Sequence, residues 1–259
     1  MNSYITILGQ GLDPMRRRRR SDRGTTTRCG RLAPAAMALC LVAAAAGADC
    51  PDADGDGLPG SIDGNVAVNE AAALDGECGL EILIDDDAGR RRGILIDDTP
   101  EAETLYRATF LFNPNAVRMA VGSGLAIFEC VSPDPRRPGS KIAACRLTLR
   151  RLADGFYLQA SARHNSGRQL SAPALFLGPP QSRDTFAVEC QWQAASGATA
   201  GSFRLRVGGG PWATIDGLAN DLHRIEEIRF GVLFGVRPGT AGSLYFDELA
   251  SFRTPAAEP

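Results

Sequence analysis

From Gly79 onward, apolar and polar residues alternate with a period of two, the pattern of strands that bury one face and solvate the other. EILIDDD (81–87) and GILIDD (93–98) flank the turn AGRRRG and are predicted to pair as a hairpin. TLYRATFLF (104–112) alternates most cleanly: Tyr106, Ala108, Phe110 and Phe112 point one way, Arg107 and Thr109 the other. LAIFECV (125–131), CRLTLRR (145–151) and FYLQASAR (156–163) follow, the last two joined by the turn Asp154-Gly155. QLSAPALFL (169–177), TFAVECQW (185–192), SFRLRV (202–207) and PWATIDG (211–217) continue the series. IRFGVLFGV (228–236) and SLYFDELASFR (243–253) close it. Short strands, turns rich in Gly, Pro, Asp and Asn, and little helix predict an all-β domain over 79–254. Two antiparallel sheets packed face to face would bury the apolar face of each strand. Residues 255–259 are a tail.

The first 78 residues have another character. Arg16 to Arg20, with Arg23, Arg28 and Arg31, form a basic run, and Leu32 to Ala46 an apolar one. Ala46-Gly47-Ala48 offers a small-x-small cleavage site, so 1–48 reads as a secretory signal peptide. Residues 1–14 are read as an upstream extension, with Met15 as the initiator. The apolar run is short for a membrane span, so no membrane insertion is expected after cleavage. Asp49 stands before Cys50, where a lipoprotein would carry a small residue. The protein is expected to be secreted, or to reside in the periplasm or cell envelope. Loss of 1–48 removes eight arginines and two aspartates and leaves 20 basic and 28 acidic residues, a formal net charge of −8. An acidic mature chain argues against nucleic acid as a partner.

Residues 49–78 hold an acidic loop and linker. In CPDADGDGLPGSIDGN (50–65), Asp52, Asp54 and Asp56 alternate, Gly57 permits a sharp turn, and Asp63 lies eleven residues after Asp52. Carboxylates at loop positions 1, 3, 5 and 12 suit calcium, a hard cation that takes six to eight oxygens. No apolar helical pattern precedes the loop, which argues against an EF-hand. The phrasing DGDGLPGSIDGN resembles the thrombospondin type 3 repeats, which implies calcium as the bound cofactor. Gly60 and Gly64-Asn65 depart from that pattern and remove one ligand. The alternative is a solvated linker. VAVNEAAALD (66–75) is open between a short helix and linker.

Five cysteines follow the cleavage site, and an oxidising compartment allows disulfides. Cys50 and Cys78 bracket the acidic loop and could staple it. Cys130 and Cys145 flank SPDPRRPGS, a hairpin about Arg137–Pro138 that would place them opposite each other and could bridge them. Cys190 alternates with Phe186, Val188 and Trp192 and is expected to be buried and free. No CxxC spacing suggests a metal.

DDTPEAETLYRATFLFNPN (97–115) and GSLYFDELASFR (242–253) resemble the first and last core strands of the concanavalin A-like, laminin G-like domains of bacterial secreted proteins. The resemblance implies a jelly-roll sandwich with carbohydrate, or a cell-surface glycoconjugate, as the partner. Aromatic platforms would carry such binding. Tyr157 and Tyr245 are candidates, because Phe156 and Phe246 beside them should face inward, and Trp212 is a loop candidate. Asp247 is either a ligand of a structural calcium or a solvated carboxylate. Asp85–Asp87 and Asp97–Asp98 either bind cations loosely or pair with Arg90–Arg92 across the hairpin turn, and the pairing is the expectation.

Catalytic motifs are hard to find. Jelly-roll glycoside hydrolases place paired carboxylates on one strand, about 5–5.5 Å apart for retention. Asp247 and Glu248 are adjacent and should face opposite ways. His164 and His223 fall in turns or strand edges without the motifs of polysaccharide lyases, and no G-x-S-x-G elbow is present. The reading is therefore a non-enzymatic, calcium-binding module. A structural spacer of the bacterial envelope and a divergent glycan-degrading enzyme are the alternatives.

Overall fold

The computed structural model describes residues 5–7, 50, 61–115 and 117–255. The chain runs through β1 (Ile5–Ile7), β2 (Ser61–Gly64), β3 (Val66–Asn69), a 3-10 turn at Glu70–Ala72, β4 (Gly79–Asp85), β5 (Gly93–Asp97) and β6 (Glu103–Asn113). It continues through β7 (Gly124–Pro133), β8 (Lys141–Arg151), β9 (Phe156–Arg163), β10 (Gln169–Ser171), β11 (Leu175–Gly178) and β12 (Phe186–Gln193). The last elements are β13 (Gly201–Val207), β14 (Ala213–Leu218), β15 (Glu227–Phe234) and β16 (Ala241–Pro255). They form two antiparallel sheets, β14-β13-β12-β6-β16-β4-β3 and β10-β9-β8-β7-β15-β5-β2, with β1 added to β16 and β11 to β9. The molecule is the predicted two-sheet sandwich.

The four residues of β6 expected to share a face, and Phe156 and Phe246, turn inward. Tyr106, Ala108, Phe110 and Phe112 of β6 are buried, as are Leu147 and Leu149 of β8 and Phe156, Leu158, Ala160 and Ala162 of β9. Aromatic rings join the sheets. Phe110 meets Phe230 edge-on at 5.0 Å, and Phe230 meets Phe246 at 4.8 Å. Each such contact adds about 0.5–1.5 kcal/mol to the area buried.

Three expectations change. First, β4 and β5 do not pair as a hairpin. β4 lies between β16 and β3, and β5 lies between β15 and β2, in the opposite sheet. Both strands carry apolar residues that need the interior. The corner Asp85–Gly93 lets each reach it from its own side, with the bridge Asp85–Arg90 as its only ladder contact between described residues. Second, residues 61–78 are not a linker. The chain leaves the second sheet after β2 and enters the first with β3, and Asn65 N–H donates to Arg92 C=O at the crossing. Ile62, Val66 and Val68 pack on the core. Third, Ile5–Ile7 of the supposed extension pairs with Leu249–Ser251 of β16, a stretch that β4 does not reach. The signal sequence read over 15–48 lies outside the described residues.

Charged groups are buried on β16. Asp247 is 1% exposed, and its carboxylate accepts N–H bonds from Leu74 (2.9 Å), Asp75 (3.0 Å) and Glu248 (2.8 Å). It is thus neither a solvated carboxylate nor an open cation ligand, because backbone donors from the segment after the 3-10 turn already satisfy it. Glu248 stands at φ +51 in the bulge that turns Asp247 inward. Further along, Arg253 pairs with Asp97, and both side chains are buried. Thr99 donates to the same carboxylate. Asp97 therefore pairs across the sandwich, from β5 to β16, and not with the arginines of the nearby turn. Arg91 does pair with Asp86 there.

Arg253→Met should lower stability by about 3–5 kcal/mol by leaving Asp97 buried and uncompensated, a Tm drop of about 10 °C or more in calorimetry. Asp97→Val in the same chain should recover most of that loss. No recovery would show that packing, not charge, sets the effect.

Candidate functional site

Because Phe156, Leu158, Ala160 and Ala162 of β9 face the core, Tyr157, Gln159, Ser161 and Arg163 form a row on the outer face of the second sheet. Tyr157 stands opposite Phe176 of β11, and the two rings lie 5.1 Å apart. Phe176 is 53% exposed, a large apolar side chain in water on a sheet surface. The turn Asp154-Gly155 seats the pair. A Cβ on Gly155 would come within 2.5 Å of the Phe176 ring, so only glycine allows that ring to lie against the turn. The Tyr157 hydroxyl donates to Asp154 at 2.7 Å, and this bond to the carboxylate, with a small contribution from burial, raises the phenol above its ordinary range.

Polar groups line the strands beside the rings. Arg150 Nη1 donates to Gln159 at 2.8 Å, Gln159 donates on to Ala172 C=O, and Gln169 donates to Ser161. Arg146 pairs with the buried Glu129 and lies over the Phe234 ring at 4.5 Å. An exposed aromatic pair with fixed donors and acceptors next to it can stack on a flat apolar ligand face and hydrogen-bond its rim.

The predicted residues do not converge. Tyr157 lies on the second sheet, whereas Tyr245 belongs to the first and Trp212 precedes β14 of that sheet. The Trp212 ring is covered by Arg204 at 4.7 Å and Arg206 at 4.6 Å, which occupy the π-face a ligand would need. Tyr245 is half-buried on β16, and burial first, then Glu81, raises its hydroxyl above the usual range. Phe176 went unread because QLSAPALFL looks like one weak strand. The structure breaks it at Pro173 into β10 and β11, both paired with β9. The signal that could have found it is that Pro, together with the apolar alternation restarting at Leu175.

Of the acidic loop, Asp52, Asp54 and Asp56 lie outside the described residues. Asp63 sits in β2, and its half-exposed carboxylate pairs with Arg92. Cys50 and Cys78 form a disulfide with Cα atoms 5.7 Å apart, the staple anticipated from their spacing. Cys130 and Cys145 do stand directly opposite each other on β7 and β8, yet they are free thiols, which corrects the expected bridge. The two side chains meet inside the core through a thiol–thiol hydrogen bond and not a bridge. Cys190 is buried and free as expected. Burial raises the Cys130 and Cys190 thiols well above their ordinary range, with neighbouring thiols adding to the shift.

No protein-family model and no curated sequence matches the chain. Among solved structures, it is similar to a carbohydrate esterase from the Shiga toxin-encoding bacteriophage phi24B, at 9% identity and TM-score 0.53, over 80% of this chain and 97% of that one. It also superposes on an alginate lyase from Pseudomonas aeruginosa at 14% identity and TM-score 0.46, over 68% and 83%. A botulinum neurotoxin type C chain, studied for interaction with two ganglioside molecules, superposes at 13% identity and TM-score 0.47, over 74% and 42%. The chain spans less than half the length of that neurotoxin chain. These likenesses are of fold. The likeness to the esterase corrects the expectation that the protein is not an enzyme: a carbohydrate esterase has a similar fold, so missing familiar motifs does not exclude catalysis.

Cys130, Cys145 and Cys190 should resist alkylation in the native protein and react together on unfolding, because reaction needs an exposed thiolate. Mass spectrometry after iodoacetamide treatment reads this directly. Native labelling of any of the three would contradict their burial.

Proposed function

We propose that the protein is an exported β-sandwich that binds carbohydrate, free or on a cell-surface glycoconjugate, at the Tyr157–Phe176 pair. The observation that carries this is the exposed Phe176 ring stacked beside Tyr157, with Gln159, Arg150 and Asp154 within reach of a sugar rim. Pyranose rings offer an apolar C–H face and a hydroxyl edge, which matches that layout. Export is supported by the basic and apolar runs of the N-terminal segment and by the Cys50–Cys78 disulfide, a bond that persists in oxidising compartments.

Calcium is proposed for the acidic loop, with Asp52, Asp54, Asp56 and Asp63 as ligands. Arg92 competes there, since Asp63 must release it before joining a cation. The staple closes a segment with a sequence separation of 28 residues, which in the chain-entropy account contributes about 3–4 kcal/mol.

A glycan array, read with and without calcium, tests the carbohydrate reading. Binding should appear on a subset of glycans and fall about tenfold in Phe176→Ala. A blank array under both conditions would sink it. The same panel, assayed for released product, separates binding from turnover.

Calcium titration by calorimetry tests the loop. Heat should vanish in Asp54→Ala/Asp56→Ala and grow tighter in Arg92→Gln, which frees Asp63. No heat in the unmodified protein would reduce the loop to a linker.

A further inference from the structure

At the far end of β9 from Tyr157, about 20 Å along the strand, lies a cleft of about 150 Å³. Three segments build it: the β7–β8 turn, with Asp134, Arg136 and Arg137; the end of β9 and its turn, with Arg163, His164 and Asn165; and His223 before β15. The chain has two histidines, and both line this cleft.

Its chemistry is one-sided. His223 is 1% exposed, and neither Nδ1 nor Nε2 has a hydrogen-bond partner among the described residues. The guanidiniums are held by carbonyls rather than by carboxylates. Arg136 Nη2 donates to Asn165 C=O at 2.7 Å. Arg163 donates from Nε to Ala143 C=O at 3.1 Å and from Nη1 to Gly167 C=O at 3.3 Å. None of Arg136, Arg137 and Arg163 forms an ion pair among the described residues. Gly167, at φ +88, leaves room for one of them, since a Cβ there would lie 2.9 Å from Arg136 Nη1. His164 Nδ1 accepts from Ser166 N–H at 3.0 Å, so the neutral ring carries its proton on Nε2 as a donor. Asp134 is the one carboxylate of the lining, and it already accepts the Arg136 backbone N–H. With neutral histidines, the lining carries three positive charges and one negative.

We propose that this cleft binds an oxyanion, the carboxylate or sulfate group of a small acidic ligand or the free inorganic anion. Guanidiniums recognise such groups through paired, charge-assisted N–H bonds. Arg163 and Arg136 are pre-positioned by backbone carbonyls, and His223 supplies an unpartnered ring at the inner wall. The volume, about five waters, admits one such group with the edge of a sugar ring. The site stands independently of the Tyr157–Phe176 pair.

The charges around His223 fix the sign of a pH effect. Burial first, then Arg163 and Arg136, depress its imidazolium, while Asp134 and Asp221 oppose them. Arg137, His164 and Arg224 also face it from the cleft or its own loop. A bound anion adds negative charge and raises the His223 pKa from its depressed free value, so affinity should increase as pH falls toward and below the ordinary histidine range.

With only two histidines, the imidazole resonances of the full-length protein can be followed by NMR while sodium sulfate or sodium glucuronate is added, against sodium chloride at matched ionic strength. Saturable shifts in both rings with sulfate or glucuronate, and not with chloride, are expected. Arg163→Gln should weaken them about tenfold, whereas Phe176→Ala should leave them unchanged. Response to glucuronate alone assigns a carboxylate, and response to sulfate alone assigns a tetrahedral anion. Shifts with neither, or equal shifts with chloride, overturn the proposal. His223→Leu guards against misreading a folding defect. It removes the unpartnered nitrogens, so Tm should hold or rise while the anion response of His164 weakens. A lower Tm with an intact anion response would make His223 a packing residue and overturn its role.

Discussion

The sandwich depends on burying the two inner sheet faces against each other. Every strand long enough to alternate puts one row of side chains inside, and the cross-sheet rings of Phe110, Phe230 and Phe246 fix how the rows interlock. That requirement dictates the outer faces as well. Once Phe156 and Leu158 are inside, Tyr157 and Gln159 must be outside, in a straight row that ends at Arg163. A one-residue slip of β9 would send the whole row into the core. The surface available for recognition is thus a by-product of core packing.

β16 is where the two sheets are tied at their ends. It is central in its sheet, with β6 on one side and β4 and β1 on the other. Buried Asp247 captures the chain after the 3-10 turn through the Leu74 and Asp75 N–H groups and accepts a third from Glu248 beside it, and buried Arg253 reaches Asp97 on the opposite sheet. A hydrophobic core alone would not specify these registers, because apolar contacts are non-directional. Removing one partner strands a charge, so the pairs act as positional constraints rather than as net sources of stability.

Both proposed recognition sites lie on β9. At its first residues, an aromatic pair rests on a glycine turn. At its last, unpaired guanidiniums and two histidines gather where three connections meet. Both places lie at strand ends, where loops bring together residues far apart in the chain and the regular ladder no longer dictates direction. A carbohydrate esterase built on a similar sandwich shows that this architecture tolerates catalytic as well as binding surfaces, so activity must be judged from the sites themselves.

The sequence by itself determined what periodicity and local spacing encode. It set the all-β class, the shared face of Tyr106, Ala108, Phe110 and Phe112, the inward Phe156 and Phe246, the Cys50–Cys78 staple and the outward direction of Tyr157. These follow from neighbours within one strand or one loop. Tertiary structure decided which strands became partners: β4 and β5 share the motif ILIDD yet enter opposite sheets, each paired on both sides with strands other than its twin. It also decided that Cys130 and Cys145 face each other as thiols, that Arg204 and Arg206 cover Trp212, and that Asp97 pairs across the sandwich. His164 and His223, separated by 59 positions and by five strands, carry no shared sequence signal. Only folding the β7–β8 turn, the end of β9 and the loop before β15 to one place makes them a site, because charge and desolvation act through space and not along the chain.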